Sequence, residues 1–76
     1  MERMAYPVID VSGTGQQINR LRKERGVSVP QMAAYLGVST VSIYKWFRGE
    51  TLPSIDNLFA LSVAFGTPMD KMLVQN

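Results

Sequence analysis

The sequence contains no cysteine and no histidine. Without cysteine the chain can form neither disulfides nor thiolate metal sites, and without histidine it lacks the commonest general base and metal ligand. No apolar run approaches the roughly 18–20 residues of a membrane-spanning helix, and the first ten residues contain no apolar segment of signal-peptide length. These absences predict a cytoplasmic protein that is not an enzyme and that binds neither a metal nor a cofactor.

The chain is also short and weakly charged overall. Its 76 residues suffice for one domain, and a domain of this size buries only about 60–65% of the surface of its unfolded chain. Apolar residues make up 46% of the sequence, which is enough for a compact core, and the net charge is +2. We therefore expect one small domain. Its net charge is too small to indicate a binding partner, so the distribution of charge along the chain is the more informative property.

Residues 28–48 form the most informative stretch, and they predict two short helices joined by a tight turn. Ser28 is a favourable N-cap, and Gln31 stands three residues later, where a capping box has Glu or Gln. Gly37 ends the first of these helices, and Ser39 caps the second.

The second of these helices has two chemically different faces. Helical spacing places Ile43, Trp46 and Phe47 on an apolar face. The other face carries hydroxyl, aliphatic, aromatic and basic side chains, which are Thr40, Val41, Tyr44, Lys45 and Arg48. A helix with this apolar back and mixed front is suited to the major groove of DNA.

The residues across the turn follow a recognisable spacing. Ala33 precedes Gly37 by four residues, Val38 follows the glycine, and Ile43 lies six residues beyond it. This pattern resembles the helix-turn-helix of phage lambda-repressor-like, XRE-type regulators, and the resemblance extends over about residues 15–72. It implies an all-α, five-helix lambda-repressor-like DNA-binding domain with a short extended N-terminal arm.

Caps and helix breakers predict where the five helices begin and end. The expected helices are at about residues 16–25, 29–36, 40–48 and 55–65, and from residues 67–68 to 73–74. Residues 12–15 have turn chemistry, with Thr14 or Gly15 capping the first helix, and Thr67 is expected to cap the fifth. The fourth helix has apolar residues on more than one face and is expected to be the most buried.

The same boundaries predict the organisation of the chain. The DNA-binding domain is expected to span residues 15–74, and residues 1–14 are expected to form the N-terminal arm. Within the arm we expect residues 1–5 to be disordered. Residues 6–11 are β-prone and form either a short strand or an extended segment without a regular partner.

The resemblance implies which residues contact DNA. Lys45 is the candidate for a hydrogen bond to guanine O6 or N7, Val41 or the Thr40 methyl group could meet a thymine methyl, and Tyr44 could contact a phosphate or a sugar. The full set of predicted DNA-binding residues is Ser28, Gln31, Ser39, Thr40, Val41, Ser42, Tyr44, Lys45 and Arg48.

Several of these assignments have plainer alternatives. Lys45 could make a non-specific phosphate contact, and Tyr44 could be a half-buried aromatic residue beside Trp46. Ser28 could be a helix cap and nothing more, although the free N–H groups at a helix start also bind phosphate. Arg48 matches a phosphate-contacting position of the family.

Two positions depart from the family pattern. Val29 stands where the family often has a DNA-contacting Gln, and Gln31 is the nearest substitute. Phe47 stands where the family often has a Glu that pairs with an arginine at the position of Arg22. We therefore expect Arg22 to reach solvent, to find a carbonyl or another acid such as Glu50, or to stack on an aromatic ring.

Basic charge is concentrated in residues 16–49. This segment has one acidic side chain, Glu24, and a local net charge of +5, because it carries Arg20, Arg22, Lys23, Arg25, Lys45 and Arg48. Such a concentration is the electrostatic footprint of a nucleic-acid-binding protein, although an ordinary solvated helix face has a similar composition.

The predicted function is transcriptional regulation, with repression as the expected form, through sequence-specific binding of a double-stranded DNA operator. One short reading helix covers one half-site, so a homodimer is expected, paired through residues 6–11 or through the last helix with Met69, Met72, Leu73 and Val74. No membrane and no small-molecule ligand is predicted. The alternatives are a protein-interaction module on the same fold, such as an antitoxin or accessory factor, and a protein that coats DNA without sequence preference.

Overall fold

A computed structural model describes residues 6–76, and the expectation that residues 1–5 are disordered lies outside this range. Within the described residues the chain is all-α, as predicted, and forms five helices. They are α1 (Val11–Glu24), α2 (Val29–Leu36), α3 (Thr40–Phe47), α4 (Ile55–Phe65) and α5 (Met69–Met72). None of the helices in residues 6–76 has the length and apolar character needed to cross a membrane.

Helices α2 and α4 have the predicted bounds because their ends are encoded locally. Each begins after a serine whose side chain accepts a backbone hydrogen bond, Ser28 for α2 and Ser54 for α4. Each ends at a glycine in the left-handed conformation, Gly37 with φ of 69° and Gly66 with φ of 63°. Helix α3 ends one residue earlier than expected.

The predicted start of α1 was wrong. The helix begins at Val11, five residues before the expected start, and residues 12–15 are helical instead of forming a turn. The N-cap is Asp10, whose carboxylate accepts a hydrogen bond of 2.9 Å from the Gly13 N–H. A glycine is needed at position 15 because α3 lies directly against the helix there. A Cβ on this residue would overlap the carbonyl oxygen of Trp46. The glycine marks a close approach between two helices.

The predicted cap of α5 was also wrong. Pro68 occupies the N-cap position, without a side-chain hydrogen bond, and α5 ends at Met72. Thr67 instead completes the end of α4: its carbonyl accepts a hydrogen bond of 2.6 Å from Ser62, and its hydroxyl donates to the carbonyl of Phe65 over 3.3 Å. The Thr67 hydroxyl therefore bonds back to α4 and does not cap α5.

The core lies where α1 packs on α3 and α5, with α2 against α3 and α4 against α5. Its members are apolar side chains with at most 7% of their surface exposed: Ile18, Leu21, Val29, Met32, Ala33, Ile43, Trp46, Leu58, Leu61, Phe65 and Met72. The expectation that α4 is the most buried helix was wrong, since Ile55, Phe59 and Val63 are exposed. Only one of its two apolar faces has a partner.

The two ends of the described chain are hydrogen-bonded to each other. Ile9 and Gln75 form an isolated antiparallel bridge, flanked by bonds from the Asp10 N–H to the Val74 carbonyl (2.7 Å) and from the Asn76 N–H to the Val8 carbonyl (2.8 Å). We call residues 8–10 and 74–76 the terminal clasp. The β-prone segment thus has a partner, which is the end of the same chain.

Candidate nucleic-acid interface

Helices α2 and α3 are joined by the tight turn that the sequence predicts. Gly37 takes the left-handed conformation there, and the Val38 N–H donates a hydrogen bond of 3.1 Å to the carbonyl of Ala33. Ala33 and Ile43 are both buried between the helices. A small side chain, a glycine turn and an apolar wedge therefore combine into a helix-turn-helix.

Helix α3 separates its two faces as expected. Ile43 is fully buried and Trp46 is 4% exposed, whereas Val41 is 60% exposed and Tyr44 is 48% exposed. Lys45 is also exposed. The outward row therefore presents an aliphatic, an aromatic and a cationic group to solvent.

The hydroxyl residues at the start of α3 lie beside its exposed face, and Ser39 also stabilises the first turn of the helix. The Ser39 hydroxyl accepts a hydrogen bond of 3.1 Å from the Ser42 N–H, and the two hydroxyl groups lie 3.1 Å apart. Thr40 and Ser42 are half-buried, while Ser39 is exposed. Ser39 thus serves as the N-cap of α3.

The entrance to α2 is closed by a reciprocal capping box. The Gln31 N–H donates to the Ser28 hydroxyl over 3.1 Å, and the Ser28 N–H donates to the Gln31 side-chain oxygen over 2.9 Å. Both residues are exposed. Because the amide oxygen of Gln31 already accepts this bond, its NH₂ group is the part that can donate to a ligand.

Arg22 bonds to a carbonyl and stacks on an aromatic ring, two of the alternatives that the sequence predicted for it. Its guanidinium donates a hydrogen bond of 2.9 Å to the carbonyl of Val27 and two bonds, of 3.0 and 2.7 Å, to the side-chain oxygen of Asn19. It also lies over the ring of Phe47, 5.6 Å from the centroid. A cation–π contact thus joins α1 to α3 where the family often has an ion pair.

The ring of Phe47 continues this contact toward the front of α3. It packs edge-to-face against Tyr44, with centroids 5.9 Å apart and an angle of 87° between the rings. Such T-shaped pairs are favoured by the charge distribution of aromatic rings. Tyr44 thus packs on Phe47, a neighbour that the sequence analysis missed: its alternative for Tyr44 was a half-buried ring beside Trp46, whereas the side chain is 48% exposed.

Arg48 follows α3 and pairs with Glu50 through its Nε. The hydrogen bond from Arg48 is the main cause that lowers the pKa of the Glu50 carboxyl; burial opposes the shift, and the nearby charges of Arg48 and Lys45 add to it. Sequence reasoning did not include Glu50 in the site, although its position two residues after Arg48 was visible. The carboxylate offsets one of the cations expected to contact phosphate.

The other basic side chains do not form a single free patch. Arg20 pairs with Glu24 at 2.6 Å. Arg25 donates to the carbonyl of Phe65 over 2.8 Å and lies 5.5 Å from the centroid of that ring. Arg20, Arg22 and Arg25 therefore all have partners within the chain, so fewer cations are free to contact a phosphate than the count along the sequence suggests.

Comparison with known proteins identifies the family. Residues 18–72, which include the second half of α1 and all of α2 to α5, match the profile of the helix-turn-helix family HTH_3. The chain belongs to this family. The match confirms the resemblance to XRE-type, lambda-repressor-like regulators.

Several relatives within the family are similar in sequence and in structure. The repressor protein C2 of Salmonella phage P22 is 37% identical over 59 residues, which are 78% of this chain and 27% of the repressor. A crystal structure of the P22 c2 repressor with a synthetic operator has a TM-score of 0.72 at 37% identity, and the match covers 79% of this chain and 91% of that one. The biofilm master regulator SinR in complex with DNA has a TM-score of 0.68 at 30% identity, covering 78% and 95%.

A transcriptional regulator from Listeria innocua has a TM-score of 0.75 at 32% identity, covering 83% of this chain and 61% of that one. The chain spans 18% of the length of its relatives from Pyrococcus horikoshii and Pyrococcus furiosus. It therefore corresponds to one part of the curated relatives that it matches.

Proposed function

We propose that this chain is a sequence-specific, double-stranded DNA-binding transcriptional regulator that inserts α3 into the major groove. The supporting observation is the division of α3 into a buried apolar back and an exposed front with Val41, Tyr44 and Lys45. Family membership supports the same function, as do the relatives whose structures contain an operator or DNA.

The front of α3 offers the chemistry for reading base edges. Lys45 would donate to guanine O6 or N7, and Val41 or the methyl group of Thr40 would pack against a thymine methyl. Tyr44 would contact a phosphate or sugar. Ser42 lies beside this row.

Phosphate contacts would come from both ends of the motif. At the start of α2, Pro30 has no N–H and the N–H groups of Ser28 and Gln31 are used by the capping box. The Val29 N–H and the side-chain NH₂ of Gln31 are therefore the groups that would donate to a phosphate. Ser39 and the N–H groups that open α3 would act similarly, and Arg48 would meet a phosphate at the other end of the helix. These contacts orient α3 without reading sequence.

The proposal has three further parts. The working form is a homodimer that reads two half-sites about 34 Å apart. The protein acts in the cytoplasm, where bacterial and phage operators lie. The proposal contains no catalytic step, and its expected regulatory form is repression.

The experiment that tests the proposal is selection of bound sequences from a random duplex pool at about 150 mM salt, where weak electrostatic binding is reduced. The proposal predicts enrichment of an inverted repeat, with half-site spacing near one helical turn of DNA. If no sequence is enriched and binding disappears with salt, sequence-specific regulation is contradicted. In that case the protein-interaction function becomes the one to test.

A further inference from the structure

Arg22 stands between the two elements that the proposed function turns toward DNA, the entrance of α2 and the front of α3. Its guanidinium donates a hydrogen bond of 2.9 Å to the carbonyl of Val27, the residue directly before the Ser28 cap of α2. The same group lies 5.6 Å from the centroid of the Phe47 ring in α3. One side chain of α1 therefore contacts both of these elements.

The guanidinium of Arg22 is held in one orientation. Asn19 lies one turn earlier in α1, and its side-chain oxygen accepts hydrogen bonds of 3.0 Å from Nε and 2.7 Å from Nη2. With the bond from Nη1 to Val27, each of the three guanidinium nitrogens has an acceptor. The side chain is also half-buried. Because a planar group with three such bonds has a fixed orientation, Arg22 can set the position of a ring that packs on it.

Phe47 connects this fixed group to the exposed face of α3. Its half-buried ring packs against the core and contacts the guanidinium of Arg22. It also meets the ring of Tyr44, with the centroids 5.9 Å apart and the planes at 87°, since residues three apart are neighbours on a helix surface. We call Arg22, Phe47 and Tyr44 the cation–aromatic cluster. It runs without a gap from the interior to solvent.

We propose that Arg22 and Phe47 are positioning residues for DNA binding, which hold Tyr44 and the entrance of α2 in the arrangement that contacts the phosphate backbone. The proposal deepens the proposed function and rests on it, because it requires α3 to lie in the major groove. Neither positioning residue touches DNA. Tyr44 does so through its hydroxyl group, which donates to a phosphate oxygen.

Tyr44 depends on this support because its side chain is otherwise open to solvent. It is 48% exposed, and exposed side chains change rotamer within nanoseconds. The edge-to-face contact uses the ring, so the hydroxyl keeps its donor for a ligand. A ring that is fixed before binding loses less conformational entropy when DNA is bound. The cluster therefore raises the affinity for DNA without adding a contact of its own.

A direct contact between Arg22 and a phosphate is the competing explanation, and salt dependence separates the two. Removing a cation that contacts phosphate lowers the slope of log K against log salt by about 1 in magnitude. Removing a positioning residue instead weakens a bond from Tyr44, which carries no charge. The affinity then falls while the slope stays the same.

Arg25 provides a matched control for Arg22. It lies 5.5 Å from the centroid of the Phe65 ring and donates a hydrogen bond of 2.8 Å to the carbonyl of Phe65. Arg25→Met therefore removes the same charge, a similar cation–π contact and a bond to a carbonyl, but next to α4 instead of α3. An effect of charge or stability alone should appear equally in Arg22→Met and Arg25→Met.

The first experiment measures binding of the folded variants to the selected operator over a range of salt. Phe47→Leu should weaken binding about fivefold, as expected when one side chain is no longer ordered in advance. Arg22→Met should weaken it at least about tenfold with an unchanged slope, because the contact to the entrance of α2 is lost as well. Arg25→Met, and Phe47→Tyr, which keeps the ring, should bind as the unmodified chain does.

A second experiment measures the coupling between Phe47 and Tyr44. Tyr44→Phe removes the hydroxyl and keeps the ring, so it should weaken operator binding about tenfold in the unmodified chain. In the Phe47→Leu background, where the hydroxyl is no longer held, the same change should cost only about twofold. Equal losses in the two backgrounds would overturn the proposal.

A third measurement needs no DNA. In nuclear magnetic resonance spectra of the free protein, the ring protons of Tyr44 should carry a ring-current shift from Phe47. Phe47→Tyr should retain this shift, Phe47→Leu should abolish it, and Arg22→Met should reduce it while Arg25→Met does not. Tyr44 resonances that do not respond to Phe47→Leu or Arg22→Met would overturn the proposal.

The two proposals fail in different ways. If the operator is bound but Arg22→Met lowers the salt slope by about 1, or if Arg22→Met and Arg25→Met lose affinity equally, the positioning role is overturned and sequence-specific regulation stands. If the unmodified chain binds no duplex, sequence-specific regulation is overturned, and the positioning role falls with it whatever the spectra of Tyr44 show.

Discussion

At the scale of single residues, the side chains near α3 divide between those that face outward and those that hold the helix. Lys45 and Val41 are exposed, so they are available to base edges. Arg22 and Phe47 face each other inside the fold. This difference in surroundings predicts different consequences for substitution.

Replacing Lys45 with alanine should relax base preference. The variant loses a donor to guanine, so we expect a cost of about 1–3 kcal/mol on the preferred operator and weaker discrimination at one base pair. The measurement is binding to the selected operator and to its single-base variants. Lys23→Ala, which removes an exposed cation from α1, is the matched control and should leave the preference unchanged.

Replacing Glu50 with glutamine should strengthen DNA binding. The change removes a negative charge and leaves Arg48 free to pair with a phosphate, so the slope of log K against log salt should steepen by about 1. Because the lowered pKa keeps the Glu50 carboxyl ionised near neutral pH, protonation should not imitate the variant there. Unchanged affinity and slope would show that the Arg48–Glu50 pair does not compete with DNA. Asp56→Asn is the control for a lost surface carboxylate.

At the scale of elements, the position of α3 depends on its contact with α1. Gly15 permits the backbones of the two helices to touch at Trp46. The contact between Arg22 and Phe47 joins them a second time. Besides the apolar packing of Ile43 and Trp46 in the core, α3 is thus held from behind by one close backbone contact and one cation–π contact.

Gly15→Ala should destabilise the fold. Its Cβ would overlap the carbonyl oxygen of Trp46, a backbone atom that cannot move away independently. We expect a loss of at least about 2 kcal/mol despite the gain in helix propensity, seen as a drop in Tm on the order of 10 °C. In the control Gly13→Ala the nearest atoms belong to the side chains of Asp10 and Val74, so a smaller drop is expected.

A double-mutant cycle with Arg22→Met and Phe47→Leu should measure the cation–π contact. We expect a coupling energy of about 0.5–1 kcal/mol in urea unfolding. Phe47→Glu should be tolerated better in the presence of Arg22 than in the Arg22→Met background, since the guanidinium can pair with the new carboxylate. Additive effects in both comparisons would show that the two residues contribute independently.

At the scale of the whole molecule, the terminal clasp closes the chain on itself. Thr14 is fully buried in α1, and its hydroxyl accepts a hydrogen bond of 2.9 Å from the Val74 N–H. The clasp is therefore attached to the core through one side chain. Opening it would free both ends of the described chain together.

Thr14→Val should loosen both ends. The substitution leaves the Val74 N–H without its acceptor, which costs about 1–3 kcal/mol. Amide hydrogen exchange should accelerate at Val74, Asp10 and Asn76 together, while amides in α3 change only as far as global stability does. Thr51→Val, at an exposed loop position, is the control. Faster exchange at only one end would contradict a cooperative clasp.

Local sequence signals predicted the parts of the fold that depend on neighbouring residues. The serine caps and terminal glycines of α2 and α4 act within a few residues, so the bounds of both helices could be predicted from the sequence. The faces of α3 followed from helical spacing for the same reason. The helix-turn-helix and the row Val41, Tyr44 and Lys45 were therefore accessible without coordinates.

Contacts between distant segments were decided only by the tertiary structure. From the sequence, a glycine that makes a turn cannot be distinguished from a glycine that lets a helix touch another backbone. The role of Gly15 therefore depended on where α3 packs. Likewise, the apolar pattern of α4 does not indicate which of its faces finds a partner, and Phe47 alone does not determine whether Arg22 reaches a ring or solvent. The sequence by itself thus determined the motif and its outward chemistry. The packing of residues far apart along the chain decided how the motif is held and which apolar surface remains uncovered.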